Sequence, residues 1–299
     1  GDDTPDPTAR NIQKYIRVNG IARRTSDLVG QFSAVMFSAD DLDLVYGSPS
    51  VRRRYLDIMI SQSDPQYLNA LQGYHHVIYQ RNHLLRMIHE ARAGRDELGF
   101  WDDKLVDAGK LIMARRAQTL IALSDLSQPI HAGLTNQGES LRLVYRPNVP
   151  IDASVSEQEI ADCLREALAK RRERELVQAV TVTGPHRDDL TIIIDDLDAG
   201  AYASRGQART SVLAMKLAEA DFQKAHRGEE PVLLLDDMLS ELDSFRRTSL
   251  LETVAEYRQC LITTADAQSI DTQSLAMGRN LHLSDGHINE MDLGTVSQS

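Results

Sequence analysis

The sequence predicts an α/β protein in which a long helical segment interrupts the sheet-forming parts of the chain. From residue 65 to about residue 126, apolar side chains recur at helical spacing and almost no strand pattern is present. From residue 180 onward, short aliphatic runs alternate with helical runs, which is typical of βαβ units around a parallel sheet. The apolar run Val232–Leu235 has the length and composition of a buried strand in such a sheet.

Two short strand features precede the helical segment. Asn19-Gly20 tolerates the positive φ of a tight turn, so Ile12–Arg24 is predicted to be a β-hairpin. Gln31–Phe37 is a further strand candidate, and the polar segment Ser38–Asp41 ends it.

The helical segment divides into two long helices. Ala93-Gly94-Arg95 breaks the apolar pattern, which predicts a long antiparallel helix pair. Leu141–Tyr145 then alternates like a strand. Ser156 and Glu159 have the spacing of a capping box, so another helix is predicted to begin there and to end near Leu176.

The last third of the chain has the alternating pattern of a parallel sheet with crossover helices. Strands are predicted at Val180–Thr183, Thr191–Ile194, Val232–Leu235 and Cys260–Thr264, and helices at Gln207–Ala225 and Ser244–Tyr257.

Composition excludes several classes of protein. Hydrophobic residues make up 42% of the 299 residues and charged residues 26%, which argues against general disorder. No apolar run approaches the ~18 residues of a membrane helix, so no membrane association is expected. The formal net charge is −11, so DNA would have to be bound by a local basic surface. Cys163 and Cys260 form no CxxC pattern, which favours reduced thiols in a cytoplasmic protein.

Two carboxylates follow the aliphatic strand. Asp236 and Asp237 would lie at the carboxyl edge of a parallel sheet, where such sheets bind ligands. Hard oxygen ligands suit Mg²⁺, and a second carboxylate beside the metal ligand could orient or deprotonate a water molecule. The alternative is a strand that simply ends in solvated acids.

A glycine-containing turn, Ser204-Arg205-Gly206-Gln207, directly precedes the predicted helix before that strand. Glycine lets a backbone approach an anion, and the helix N-terminus offers free N–H groups. The alternative is an ordinary helix cap with a permissive turn. Ser240-Glu241-Leu242-Asp243, three residues beyond Asp237, is by itself only a capping sequence for the next helix.

The order of these features narrows the interpretation. The order resembles that of an ABC-type ATPase head. The glycine-containing turn and its helix correspond to the signature, the aliphatic strand ending in Asp-Asp to Walker B, and Ser-Glu-Leu-Asp to the D-loop. Further motifs are Phe37–Leu42 (FSADDL), Gly47–Pro49 (GSP), Arg52–Asp57 (RRRYLD), Gln80–Leu85 (QRNHLL) and Gly184–Leu190 (GPHRDDL). Together they resemble the RecF family of bacterial recombination mediators, relatives of the SMC-type ATPases. The resemblance extends from about Tyr15 to Asn289.

This resemblance implies a fold and a domain organisation. The fold would be the α/β head of an ABC/SMC-type P-loop NTPase, without its N-terminal part and with an inserted α-helical arm lobe. Residues 1–49 would belong to the N-terminal ATPase lobe and residues 50–178 to the arm lobe. Residues 179–299 would form the C-terminal part of the ATPase lobe.

The resemblance also implies roles for individual residues, with ATP and Mg²⁺ as cofactors. Ser204, Gly206 and Gln207 match the signature turn, which contacts the γ-phosphate of ATP bound to the opposite subunit. Asp236 matches the Mg²⁺-linked aspartate, and Asp237 stands where related ATPases place the carboxylate that activates water. Ser240 and Asp243 match the D-loop at the dimer seam. Asp40 and Asp41 match a nucleotide-sensing loop.

The family's activity would be ATP-dependent dimerisation on duplex DNA at single-strand gaps, with slow, DNA-dependent ATP hydrolysis, and help in loading recombinase. RecR and RecO would be partners. The basic residues considered for DNA contact are Arg52, Arg53, Arg54, Arg171, Arg172 and Arg187. Solvated helix faces are the alternative for the arginine runs. Gly184–Asp189 is interpreted as a turn that pairs charges or positions Arg187 near phosphate, rather than as a metal site.

One expected motif is absent from these 299 residues. A phosphate loop needs GxxxxGK[ST], and the nearest string contains Gly109-Lys110 but has Lys at position 104 and Leu at position 111. In the family this loop precedes the segment where the chain starts, so a truncated sequence is expected. The alternative function is a non-hydrolysing RecF-like remnant that acts only through protein or DNA contacts.

Overall fold

The computed structural model describes residues 15–24, 28–151, 156–265 and 278–290. The chain divides into two compact units, Gly1–Phe32 and Ser33–Ser299. The α-helices are α1 (Asp43–Tyr46), α2 (Pro49–Ser63), α3 (Pro65–His89), α4 (Leu98–Leu134), α5 (Glu157–Gln178), α6 (Ala199–Tyr202), α7 (Arg205–Arg227) and α8 (Ser244–Ala255). The strands are β1 (Ile16–Val18), β2 (Ile21–Arg23), β3 (Ala34–Phe37), β4 (Leu141–Arg146), β5 (Asp189–Ile194), β6 (Leu197–Asp198), β7 (Val232–Asp236), β8 (Cys260–Thr263), β9 (Leu281–Ser284) and β10 (His287–Glu290).

The described part of the first unit contains a β-hairpin. Strands β1 and β2 pair antiparallel, with Val18 opposite Ile21. Asn19 and Gly20 between them have φ values of 51° and 81°. Positive φ at both turn residues is what a two-residue hairpin loop requires, so the predicted hairpin is confirmed over these strands. Residues 12–14 of the predicted segment lie outside the described residues.

The second unit contains a parallel three-stranded sheet in the order β3-β7-β8. Leu233 and Leu235 of the central strand are buried. Such aliphatic side chains are expected where helices cover a parallel sheet, and α7 packs against β3. The predicted strand at Gln31–Phe37 is confirmed only from Ala34 onward.

A second sheet, in the order β4-β5-β6, is antiparallel rather than parallel. The strand predicted at Val180–Thr183 is wrong, because side chains take up the backbone N–H groups that a strand would use. Glu175 Oε1 accepts from the N–H groups of Val182 and Thr183 at 2.8 and 3.2 Å, and Asn82 Oδ1 accepts from that of Thr181. The segment is therefore a loop fixed by side chains.

The predicted helix pair is confirmed as α3 and α4, which are separated around Gly94. Asp64 caps α3 by accepting from the N–H groups of Gln66 and Tyr67, and Pro65 occupies the first helical position, where its missing N–H costs nothing. Helix α4 continues past Pro129 to Leu134, beyond the predicted end, and packs against α3, α5, α7 and β4.

A buried ionic cluster joins α3, α4 and α5. Arg81 is fully buried, and its guanidinium donates to Asp102 Oδ1 at 2.8 Å, to Glu175 Oε2 at 2.7 Å and to Thr181 Oγ1 at 2.9 Å. Since a buried charge is tolerated only when it is paired and hydrogen-bonded, this cluster holds the three helices in one arrangement. In the described parts of the chain, no helix is both long and apolar enough to cross a bilayer.

Candidate functional site

The carboxyl ends of three parallel strands meet at one edge of the β3-β7-β8 sheet. Phe37 of β3 lies opposite Leu235 of β7, and Asp236 of β7 lies opposite Thr263 of β8. The segment after β3 therefore begins beside Asp236. Ligands of open α/β sheets bind at this edge, outside the carboxyl ends of the strands.

Asp236 and Asp237 are both exposed at this edge. The Thr263 hydroxyl donates to Asp236 Oδ1 at 2.6 Å and accepts from the Asp237 N–H at 3.1 Å. Asp237 has a left-handed φ of 52°, which is uncommon for a residue with a side chain. This conformation turns the chain sharply immediately after the strand, and Thr263 holds both residues in place.

The Ser240–Asp243 segment is tied to the same edge. The Ser240 hydroxyl donates to Asp237 O at 3.1 Å and lies 3.2 Å from Asp237 Oδ1. Asp243 caps α8 and accepts from the N–H of Arg246 at 2.9 Å and from its guanidinium at 2.7 Å. These contacts with Arg246 lower the pKa of the Asp243 carboxyl, so it is ionised at neutral pH.

Asp40 and Asp41 lie in a 3₁₀ turn, Ala39–Leu42, directly after β3. Asp41 Oδ2 accepts from the N–H of Ser38 at 2.7 Å, and its Oδ1 is 3.8 Å from Lys216 Nζ on α7. Lys216 Nζ is also 3.2 Å from Glu219, a buried residue whose carboxyl pKa is raised by burial. Asp41 therefore connects the sheet edge to α7, whereas Asp40 is exposed.

The Ser204–Gln207 turn begins α7 with a reciprocal capping box. Ser204 Oγ accepts from the Gln207 N–H at 3.2 Å, and Gln207 Oε1 accepts from the Ser204 N–H at 3.0 Å. A Cβ on Gly206 would meet only Ser204 Oγ, at 4.0 Å. Gln207 Nε2 donates to Glu139 Oε1 at 3.0 Å, which fixes the amide from the loop before β4.

The signature turn lies far from the sheet edge of its own chain. Lys216, which contacts Asp41 at that edge, lies twelve residues along α7 from Ser204. At a rise of 1.5 Å per residue, twelve helical residues separate the two positions by roughly 18 Å. The structure thus brings Asp41, Asp236 and Asp237 to one edge. It leaves Ser204 and Gly206 exposed at a second location, with Gln207 half-buried beside them.

Two carboxylates at the edge could take part in binding a metal. Among the described residues, no three His, Cys, Asp or Glu side chains converge as a metal cluster. Mg²⁺ keeps several waters and is commonly held by one or two carboxylates together with substrate phosphates. The exposed pair Asp236 and Asp237 fits that mode, in which the nucleotide supplies the remaining oxygen ligands.

Three of the basic residues considered for DNA contact are engaged within the chain. Arg52 forms a two-pronged ion pair with Asp189 at 2.7 and 2.8 Å, Arg53 donates to the carbonyl of Asp188, and Arg172 pairs with Asp102. Arg171 and Arg187 also donate hydrogen bonds within the chain, to Asn148 and to the carbonyl of Thr181, but both line one pocket, and Arg54 is exposed.

The GPHRDD segment has a structural role at His186. Its Nδ1 is 2.7 Å from Tyr74 Oη, and its Nε2 is 3.0 Å from Thr181 O. Because Nε2–H donates to the carbonyl and Nδ1 accepts from the phenol, both nitrogens are occupied. Burial lowers the pKa of His186 to about 4, so the ring is neutral at pH 7.

Sequence reasoning did not identify three residues that support these sites: Glu139, Lys216 and Thr263. Thr263 could have been found, since it ends the strand after the Asp-Asp pair and polar residues at that edge are candidates. Glu139 gave no such signal, because it precedes its partner Gln207 by 68 positions.

Three features together define the head of an ABC/SMC-type ATPase. They are the parallel strand that ends in paired aspartates, the capped signature helix before it and the Ser-Glu-Leu-Asp segment after it. No protein-family model matches the sequence. A DNA replication and repair protein RecF from Herpetosiphon aurantiacus is 42% identical over 283 residues, 94% of this chain and 72% of the relative. The RecF of Bacillus subtilis is 38% identical over 272 residues, 90% of this chain and 74% of the relative. The chain belongs to the RecF family.

Solved structures agree with this assignment. A structure of the recombination mediator protein RecF with ATP, from the RecFOR pathway, superposes with a TM-score of 0.83 at 31% identity, covering 94% of this chain and 73% of that chain. A second RecF structure, with an ATP analogue, gives a TM-score of 0.82 at 32% identity, covering 94% of this chain and 74% of that one. The predicted α/β head of an ABC/SMC-type ATPase is thereby confirmed.

Proposed function

We propose that this chain is an ATP-dependent DNA-binding protein whose ATP site is completed by a second copy of the chain. The observation that carries the proposal is the separation of roughly 18 Å along α7 between Ser204 of the signature turn and Lys216, which contacts Asp41 at the sheet edge. The signature turn and the sheet edge are both exposed, and one chain cannot direct both at the same triphosphate. In a two-fold dimer, each signature turn would meet the sheet edge of the partner.

Gly206 supports a close approach of an external group to the signature turn. Glycine disfavours a helix by up to about 1 kcal/mol relative to alanine. A Cβ at this position would meet only Ser204 Oγ at 4.0 Å, so packing within the chain does not require glycine. A phosphate at the helix N-terminus would require it, because the missing side chain lets the anion reach the free N–H groups.

Exposed aromatic side chains next to the signature turn and next to the Ser240–Asp243 segment support a protein interface. Tyr202, two residues before Ser204, is 71% exposed, and Phe245, two residues after Asp243, is 50% exposed. Aromatic residues are enriched in protein interfaces, where their large surfaces become buried. The dimer seam would thus run along the signature turn and the Ser240–Asp243 segment.

Within that dimer, each residue would have a distinct role. Asp236 would bind Mg²⁺ together with phosphate oxygens, and Asp237 would orient the attacking water. Ser204, Gly206 and Gln207 would bind the γ-phosphate on the partner subunit. Ser240 and Asp243 would lie at the seam. Asp41, through its contact with Lys216, would transmit the nucleotide state from the sheet edge to α7, with Asp40 beside it.

The biological setting is inferred from the descriptions of the relatives. The curated relatives are described as DNA replication and repair proteins, and the solved neighbours as recombination mediators of the RecFOR pathway. We infer the same setting for this chain: dimerisation on duplex DNA at single-strand gaps in the cytoplasm, with RecR and RecO as partners in recombinase loading. Residues 50–178 would act as the arm lobe that contacts duplex DNA.

The test is Mg-ATP turnover with and without gapped duplex DNA, in a form of the protein that includes a GxxxxGK[ST] loop ahead of these residues, compared with its Asp236→Asn variant. The proposal expects slow turnover that gapped DNA stimulates and that the variant lacks. Asp162→Asn, on an exposed face of α5, is the matched control and should keep the activity of the parent.

Two results would contradict the proposal in different ways. Turnover that survives Asp236→Asn would contradict the proposed Mg²⁺-binding role of Asp236. DNA binding without any response to ATP would instead favour a RecF-like chain that acts through DNA or protein contacts alone.

A further inference from the structure

A basic pocket lies between α5 and the turn that precedes β5. Its volume is about 380 Å³, and its polar lining consists of Asn148, Arg171, Arg174, Gln178 and Arg187. Arg171, Arg174 and Gln178 follow the i, i+3, i+7 spacing that places side chains on one helix face. Arg187 comes from the 3₁₀ turn Pro185–Arg187. Three arginines therefore line one concave surface.

The three arginines of the pocket are not neutralised by carboxylates in the described parts of the chain. Arg171 donates to Asn148 Oδ1 at 2.7 Å and to its carbonyl at 3.3 Å, and Arg187 donates to the carbonyl of Thr181 at 3.3 Å. Arg174 is exposed. The adjacent Arg172 is different, because it leaves the pocket face and pairs with Asp102.

The carboxylates adjacent in sequence to the pocket arginines have other partners. Glu173 is exposed and pairs with Arg95 at 3.0 Å. Glu175 is fully buried and binds Arg81 with one oxygen and two backbone N–H groups with the other. Asp188 is also buried and accepts from the Tyr145 hydroxyl and the Asn148 N–H. Neither of these two buried carboxylates can offset the positive charge of the pocket arginines.

Asn148 adds a positioned amide to the pocket. Its Oδ1 accepts from Arg171 and also from the N–H of Gly184 at 3.2 Å. Because Oδ1 accepts these two hydrogen bonds within the protein, the Nδ2 hydrogens of Asn148 are left as donors for a ligand in the pocket. Gly184 is required at this place, because its φ is +123° and a Cβ would lie 2.4 Å from Tyr74 Oη.

We propose that this pocket binds a backbone phosphate of duplex DNA, with Arg171, Arg174, Arg187 and the Asn148 amide as donors. The inference rests on the proposed DNA-binding function and gives it a location. Guanidinium groups match phosphate oxygens in geometry and charge. In a chain with a formal net charge of −11, a local basic surface of this kind is what DNA binding requires. Free phosphate or a nucleotide would share the same chemistry.

The experiment measures duplex DNA affinity of the whole chain by fluorescence anisotropy over a series of salt concentrations. The variants are Arg174→Gln and the double variant Arg174→Gln/Arg187→Gln, which leave the Arg171–Asn148 contacts in place. Arg165→Gln is the matched control, since it removes the same charge from α5 at an exposed pair with Asp162 outside the pocket. Pyrophosphate binding, measured by calorimetry on the same proteins, separates a small anion from DNA.

The proposal expects the slope of log affinity against log salt to fall by about 0.9 for each phosphate-contacting arginine removed. Arg165→Gln should leave that slope unchanged. If the parent binds DNA and the double variant binds with the same affinity and slope, the pocket assignment is overturned while the proposed function stands. Loss of pyrophosphate binding with unchanged DNA binding would overturn DNA as the occupant. A parent chain that binds no duplex would overturn the proposed function itself.

Discussion

The side chain of Gln207 is held by Glu139, with 3.0 Å between Gln207 Nε2 and Glu139 Oε1. The other carboxylate oxygen of Glu139 lies 3.3 Å from Nε2 of the fully buried His131. Burial lowers the pKa of His131, so the ring is neutral at pH 7 and does not compete as a cation for Glu139. The signature turn is thus connected, through Glu139 and His131, to the end of α4, the longest helix described in the chain.

This contact predicts that Glu139 positions Gln207 for ATP-dependent association. Glu139→Ala removes one hydrogen bond of about 1 kcal/mol, so we expect roughly fivefold weaker ATP-dependent dimerisation with little change in folding. Glu139→Gln keeps an acceptor oxygen and should restore most of the association. Sedimentation velocity with and without ATP measures both variants, which are made, like every variant tested for ATP-dependent association, in a form of the protein that includes a GxxxxGK[ST] loop ahead of these residues. Equal dimerisation of Glu139→Ala and the parent would show that the contact has no role in association.

Gly206 permits a test in which stability and function change in opposite directions. Gly206→Ala should leave the free energy of unfolding unchanged or raise it by up to about 1 kcal/mol, because alanine favours the helix. We expect ATP-dependent dimerisation to weaken at least about tenfold, since the methyl group would occupy the place of the phosphate. Urea unfolding and sedimentation velocity give the two quantities. A variant that dimerises normally would argue against phosphate contact at this turn.

Stability should depend on pH through His186. Burial lowers its pKa to about 4 in the folded chain, from 6.5 in an unfolded one. Below pH 6.5 the unfolded state binds a proton that the folded state does not, so stability falls as pH decreases from 6.5 to 4. The loss reaches up to about 3 kcal/mol.

The measurement for His186 is urea unfolding at several pH values in that window. His186→Gln should show a smaller decrease with falling pH, and the exposed His75→Gln should behave like the parent. The same pH dependence in His186→Gln and the parent would show that other groups cause it.

The buried Arg81 cluster predicts a large loss of stability on breaking one partner. Arg81→Met leaves the buried Glu175 carboxylate without its cation, and we expect the free energy of unfolding to fall by about 3–5 kcal/mol. The control is Arg92→Met, which removes an exposed pair with Glu90 and should cost less than about 1 kcal/mol. Denaturant unfolding compares them. Equal effects of the two changes would mean that the cluster contributes no more than a surface pair.

Local patterns explain why much of the fold could be predicted from the sequence. Asn19-Gly20, Gly94 and the Ser156–Glu159 capping box act over a few residues, and each is found where expected. The hairpin β9–β10 had an equally local signal, since Asp285 and Gly286 have φ values of 49° and 78° between two short alternating runs. This hairpin is absent from the predictions made from the sequence, whose last strand is Cys260–Thr264.

Features that depend on distant partners could not be predicted. Val180–Thr183 has the composition of a strand, but Glu175 and Asn82 accept hydrogen bonds from its N–H groups. Strand propensity depends on the segment's own residues and does not include these distant side chains. The same limit applies to Lys216, whose contact with Asp41 emerges only after α7 packs beside β3. The sequence therefore indicates the motif residues, whose roles stay predictions, but it does not indicate the residues that hold them in place.

The most direct test of the composite site mixes two inactive variants, Ser204→Arg and Asp237→Asn. Both are made in a form of the protein that includes a GxxxxGK[ST] loop ahead of these residues, and each alone should lack ATP turnover. A mixed dimer would contain one intact site, with Ser204 from one subunit and Asp237 from the other. We expect mixing to restore part of the ATPase activity. If the mixture stays as inactive as its components while both variants remain folded, the ATP site is not shared between two copies of this chain.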